Sequence, residues 1–272
     1  TSRAHAMPKI TFDTAVTQHA EATQRLNTVH LKMATGRRDA AGVMEDAASF
    51  SVASRFDAQV HRMDAALSNV GNSMSFLQTQ DGTLKSVTRS LNRMGELAIL
   101  AQDATKSDAD RALYTEEFNQ LKAGLSESTQ ATFNGVKMFS SEPKAVTVDE
   151  NAKTVELPAV DLEAAAREVV AEGTDLSTLE NAAAALTSVK QTLDQVSSER
   201  AEIGAAQSRM EAASDQLLET RSSIGAATSR ITDVNFARAT TEKTAAQVQL
   251  QLATAMLAHK SVNPEAALLL TF

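Results

Sequence analysis

Residues 189–231 read VKQTLDQVSSERAEIGAAQSRMEAASDQLLETRSSIGAATSRI. Every seventh residue of this stretch is apolar: Val189, Val196, Ile203, Met210, Leu217, Ile224 and Ile231. A helix turns once in about 3.6 residues, so a stripe that returns every seven belongs to a long helix lying along a second helix. The column three residues earlier, Leu186, Leu193, Arg200, Gln207, Ser214, Arg221 and Thr228, is apolar for two steps and polar afterwards. Ser177 with Glu180 three residues on forms a reciprocal capping pair and predicts the helix start. From about 178 to 231 such a helix spans on the order of 80 Å.

The N-terminal half carries a matching stripe. Phe56, Met63, Val70, Leu77, Leu84, Leu91 and Ala98 follow the same period, with Val60, Leu67 and Met74 on the other seam before Asp81, Thr88 and Gly95 interrupt it. The two helices are predicted to pack side by side through Met63, Val70, Leu77, Leu84 and Leu91 on one and the column Val189 to Ile231 on the other. A third helix over residues 107–129, capped by Ser107 and apolar at Leu113, Phe118, Leu121 and Leu125, makes a small bundle. The four prolines, at positions 8, 143, 158 and 264, leave 9–142 and 159–263 without a residue that breaks a helix. Gly71, Gly95, Gly204 and Gly225 lie inside predicted helices, where each costs about 1 kcal/mol relative to Ala. They are read as points of close helix approach.

Strand character is confined to the centre. Residues 132–136 hold an Asn134-Gly135 pair, which supplies the positive φ angles of a tight reversal. Residues 146–148 and 154–157 alternate with period two around 149–153, predicting a β-hairpin near 144–158. Charge concentrates here too: residues 142–180 hold ten acidic and three basic side chains, so the rest of a chain of net charge −8 is close to neutral. Near-neutral helices offer nucleic acid no basic face, and they set up no long-range repulsion between copies.

The two ends have wider apolar faces. Residues 10–34 carry Ile10, Phe12, Val16, Leu26, Val29, Leu31 and Met33, and residues 245–257 place Ala245, Val248, Leu250, Leu252, Ala255, Met256 and Leu257 over more than half a helix circumference. The stretch after Pro264, with Leu268, Leu269, Leu270 and Phe272, is too short to cross a membrane and too apolar for a free tail. The fold class expected is mainly α: a long coiled-coil rod bundle with a small β-hairpin, plus a terminal helical pair made from both chain ends. Residues 1–45 and 234–272 are assigned to the terminal domain and 46–233 to the rod.

No reactive constellation stands out. The chain has no Cys, and its five His, at 5, 19, 30, 61 and 259, show no metal-ligand pairing. Gly-rich phosphate loops and nucleophile elbows are absent from the sequence. No catalytic residue, metal ligand or cofactor site is assigned, and the chain is not read as an enzyme. No run approaches the apolar length of a membrane span, and residues 1–12 lack a hydrophobic run of signal-peptide type.

Specific strings resemble a known family, bacterial flagellin. Leu91-Asn92-Arg93-Met94-Gly95-Glu96-Leu97-Ala98 is similar to the family's Leu-Gln-Arg-x-Arg-Glu-Leu-Ala, and Phe133-Asn134-Gly135 follows at the family's distance. Residues 200–211 resemble Arg-Ala-x-Leu-Gly-Ala-x-Gln-Asn-Arg-Leu-Glu, and Ser229-Arg230-Ile231-Thr232-Asp233 resembles Ser-Arg-Ile-x-Asp. The family's Asp-Asp-Ala-Ala-Gly stands here as Glu45-Asp46-Ala47-Ala48-Ser49.

The resemblance implies a subunit exported without a cleavable signal that self-assembles into the extracellular flagellar filament for swimming. The partners it implies are further copies of the chain, an export chaperone, and cap and junction proteins, with no nucleic acid and no membrane insertion. Val248, Leu252, Met256, Leu257, Leu268, Leu269, Leu270 and Phe272 are assigned to self-assembly. In some flagellins the Arg-Glu-Leu helix meets an innate immune receptor; the matching positions are Arg93, Glu96, Leu97 and Glu116. The alternatives are a hook-filament junction protein and a helical signalling rod of chemoreceptor type.

Overall fold

The computed structural model describes residues 12–39 and 47–269, with side chains over 14–39 and 47–258. Residues 1–11, Glu45, Asp46, Leu270 and Phe272 lie outside the described residues, as do the side chains of Leu268 and Leu269. Along the chain come α1 (Phe12–Thr35), α2 (Ala47–Ala101), α3 (Asp108–Thr129), β1 (Thr132–Phe133), β2 (Val136–Lys137), β3 (Lys144–Thr147) and β4 (Thr154–Leu157). They are followed by α4 (Leu162–Val170), α5 (Leu179–Thr232) and α6 (Phe236–Leu269). The chain divides into two compact units, residues 59–222 and residues 1–58 with 223–272.

In the unit 59–222, α2 and α5 run antiparallel. Asp81 meets Arg200 and Asp64 meets Arg221, at 2.8 and 2.7 Å, so Arg200 and Arg221, which interrupt the second seam in the sequence, are each paired with an aspartate of α2. The seven-residue columns form the core: Met63, Val70, Leu77, Leu84 and Leu91 on α2, and Val189, Val196, Ile203, Met210 and Leu217 on α5, are all buried. Burying side chains of this size contributes about 1.5–3 kcal/mol each.

The second seam is not the one the sequence suggested. Leu67, Met74, Leu186 and Leu193 are half-buried, whereas the column three residues after each stripe is inside: Ala66, Ser73, Gln80, Val87 and Met94 on α2, and Thr192, Glu199 and Ala206 on α5. The close-approach reading of the glycines also holds at one position only. A side chain at Gly95 would meet Val189 at 3.7 Å, while Gly71, Gly204 and Gly225 have nothing within 4 Å.

α3 begins with the reciprocal cap at Ser107, its partner being Asp110, and buries Phe118 and Leu125. α5 starts one residue later than the sequence suggested. Thr178 Oγ1 accepts from the Asn181 N–H at 3.1 Å, and the Ser177 hydroxyl is drawn instead to Asp175 Oδ1 at 2.6 Å. α4 was not anticipated. Asp161 caps it by accepting from the Ala164 N–H, and Leu162, Ala165, Ala166 and Val169 form its buried face.

Both reversals are antiparallel hairpins. β1 pairs with β2 across Asn134 and Gly135, at φ 48° and 77°, and β3 pairs with β4 in the register Lys144 to Leu157 and Thr147 to Thr154. The Asp149 carboxylate organises the second loop by accepting from the Asn151 and Lys153 N–H groups at 2.9 and 2.7 Å. The loop holds Ala152 at φ 64°, a region disfavoured for residues with a Cβ. Ala152→Gly is therefore expected to raise the stability of this unit by about 0.5–1 kcal/mol. Urea titration checks it; an unchanged or lower midpoint would show that the loop does not hold this conformation in solution.

Candidate assembly surfaces

In the unit 1–58 with 223–272, α1 and α6 pack through columns of small residues spaced by seven. Ala15, Ala22 and Val29 on α1 are buried, as are Ala239, Ala246 and Ala253 on α6. Val29 lies beside Ala246 and Ala22 beside Ala253, so the pair is antiparallel. A seam of alanines covers little of either circumference, and the larger apolar side chains stay outside. Val248 is 58% exposed, Leu252 55%, Phe236 55%, Leu31 45% and Val16 43%; Met256 and Leu257 are half-buried.

The outer surface of α6 is also poor in charge. Residues 244–258 contain no charged side chain. Thr240, Thr241, Thr244 and Thr254 each donate their hydroxyl to the carbonyl four residues back, at 2.7–3.0 Å. Those hydroxyls are satisfied within the helix, leaving an uncharged apolar face suited to another protein surface.

Where α1 ends, Gly36 adopts φ 70° and the chain pairs with the α5–α6 junction. The Arg38 N–H donates to the Thr232 carbonyl at 2.7 Å and the Val234 N–H to the Gly36 carbonyl at 2.9 Å. The Arg37 guanidinium forks onto Asp39 at 3.0 and 3.1 Å, a hydrogen-bonded pairing that holds the Asp39 carboxyl below its usual range.

The coiled-coil positions named from the sequence are buried from Met63 to Leu91 and from Val189 to Leu217, while Ile224 and Ile231 are half-buried. The positions matched to receptor contact do not form one exposed set. Arg93 and Glu96 are exposed and paired at 3.0 Å, and Arg93 also forks onto Glu117 at 2.7 and 3.0 Å. That pairing holds the Glu117 carboxyl below its usual range. Glu116 is exposed, but the partner of Arg93 is its neighbour Glu117. Leu97 is fully buried, because it falls on the α2 face that meets the core, and it offers no side chain to a receptor. Leu113, on α3, is 71% exposed rather than part of the bundle interior.

Residues 9–143 match the bacterial flagellin N-terminal helical region and residues 186–268 the bacterial flagellin C-terminal helical region. Among curated relatives, a flagellin of Halalkalibacterium halodurans is 32% identical over 230 residues, covering 82% of this chain and 84% of that protein. The flagellar filament 30.7 kDa core protein of Treponema maltophilum is 28% identical over 253 residues, 86% of this chain and 88% of that one. The fold is similar to the crystal structure of Bacillus cereus flagellin, with TM-score 0.50 and 24% identity over 55% of this chain and 88% of that one. It is also similar to the structure of a protein from Vibrio parahaemolyticus assigned as flagellar hook-associated, with TM-score 0.59 and 16% identity over 68% and 98%. The stretch between the two matched regions, 144–185, holds β3, β4 and α4.

Proposed function

We propose, for a chain that belongs to the bacterial flagellin family, that the exposed apolar face of α6 is the surface through which copies of it bind one another. The chain is a structural subunit of the bacterial flagellar filament, a polymer outside the cell that serves motility. We assign residues 1–45 and 234–272 to the inner filament core, and 46–233 to the surrounding rod. Export with a chaperone and growth beneath a cap on a junction protein complete the reading. No reaction is assigned to the chain.

The observation that carries the proposal is the run 244–258, free of charge yet exposing Val248 and Leu252 by more than half. An apolar face left open on one subunit gains roughly 25 cal/mol per Å² when a neighbour covers it. If that neighbour covers it with a different patch, the contact does not close and a filament grows. The chain's fold-level likeness to a hook-associated protein gives no separate argument for a junction role.

Raising the concentration of the purified chain, or adding a precipitating salt such as ammonium sulfate, should yield long filaments of uniform width in negative stain. Closed particles or single subunits at every concentration would overturn the self-assembly reading and favour a junction protein that needs a preformed end.

A further inference from the structure

The second buried column of α5 contains one residue out of keeping with the rest. It runs Ala185, Thr192, Glu199 and Ala206, all buried. This column faces α4: the Thr192 hydroxyl donates to the Ala165 carbonyl at 2.9 Å. Two turns further along α5, Glu199 is 9% exposed, and its Oε2 has no hydrogen-bond partner.

The charges acting on Glu199 are both negative. One is Asp161, whose carboxylate caps α4, and the other is Glu202, on the next turn of α5. Of the cations on neighbouring elements, Arg200 is paired with Asp81 of α2 at 2.8 Å, Lys144 of β3 meets the Ser140 hydroxyl at 2.9 Å and the face of Phe76, Lys122 of α3 donates to the Ala171 and Thr174 carbonyls, and Arg167 of α4 is exposed to solvent. Gln80, a buried side chain of α2, is neutral and donates to the Met138 carbonyl at 2.8 Å. A carboxylate placed so is the costly form, having neither solvent nor counter-charge; the neutral acid escapes both penalties.

We propose that Glu199 is a proton-dependent lock that keeps α4 closed on α5 while its carboxyl is neutral and loosens α4 when the carboxyl ionises. Burial, and after it Asp161 and Glu202, push this carboxyl up from 4.5 to about 7. Because the folded state holds the proton more tightly than the unfolded one, its stability falls as pH rises from about 4.5 to about 7 and is level above that window. The acidic central segment would then be held firmly in mildly acidic surroundings and more loosely in alkaline ones. This inference does not depend on the filament reading.

Hydrogen exchange of the full chain at pH 5 and pH 8, corrected for intrinsic exchange, tests it at residues 162–170. Protection there should drop roughly tenfold to a hundredfold at the higher pH, while Glu199→Gln keeps it high at both. An equal pH response in chain and variant would overturn the lock. Carbon-13 titration of the Glu199 carboxyl in the unsubstituted chain gives an independent reading: a midpoint near 7 supports the proposal, and one at the ordinary Glu value refutes it even if the Gln variant fails to fold.

Discussion

A chain carrying V248E and L252E together should form no filaments under conditions in which the unsubstituted chain forms them throughout the sample. Both side chains are more than half exposed, so within one subunit the exchange lies in the range of ordinary surface substitutions, about ±0.5 kcal/mol. In a polymer the balance reverses. Each contact would lose the burial of two apolar side chains, about 1.5–3 kcal/mol apiece, and would have to desolvate two carboxylates where residues 244–258 provide no cation. Every subunit repeats the penalty. Sedimentation and negative stain measure the loss, and an unchanged thermal unfolding curve for the monomer shows that folding is not its cause. Filaments of normal length from the doubly substituted chain would mean that this face of α6 stays in solvent.

The second large effect concerns the interior. Leu84→Ala should lower the stability of the unit 59–222 by about 3 kcal/mol, the usual cost of opening a cavity at a fully buried leucine. Removing either partner of the Asp81–Arg200 pair nearby should cost no more than about 1 kcal/mol, since both side chains are roughly one-third exposed, at 35% and 33%. Tyr114 is the sole Tyr of a chain without Trp and lies in this unit, so its fluorescence in urea follows both variants directly. A Leu84→Ala midpoint close to that of Arg200→Ala would contradict the layered packing of α2 on α5.

Much of this architecture was legible because period seven is a strong signal: the stripes are buried from Met63 to Leu91 and from Val189 to Leu217. Which neighbouring column completes the seam was harder to read, since a stripe has candidates on both sides. The larger side chains, Leu186 and Leu193, point one way; the structure buries Ala185, Thr192 and Glu199, because α4 lies over that side. α4 itself carried a readable pattern, Leu162, Ala165, Ala166 and Val169 behind the Asp161 cap. Its nine residues were obscured by surrounding acid. The displaced start of α5 comes from two adjacent hydroxyls, where Asp175 takes Ser177 and leaves Thr178 to the helix. At the α1–α6 pair the large residues drew attention, whereas the packed surface is Ala and Val.

That small-residue seam behaves like a ruler with nearly identical marks. Ala239, Ala246 and Ala253 repeat every seven residues against Ala15, Ala22 and Val29, so sliding one helix past the other by two turns, about 10 Å, would bring like against like. Along the seam only the larger Val29 and the buried Lys32 mark one alignment from another. The alignment is also held at one end, where the Arg38 and Val234 N–H groups clasp the backbone across the junction and Gly36 permits the turn that brings it there. Loosening that clasp would ease a slip like that of a misfed zip, with most teeth still engaged and the ends no longer level.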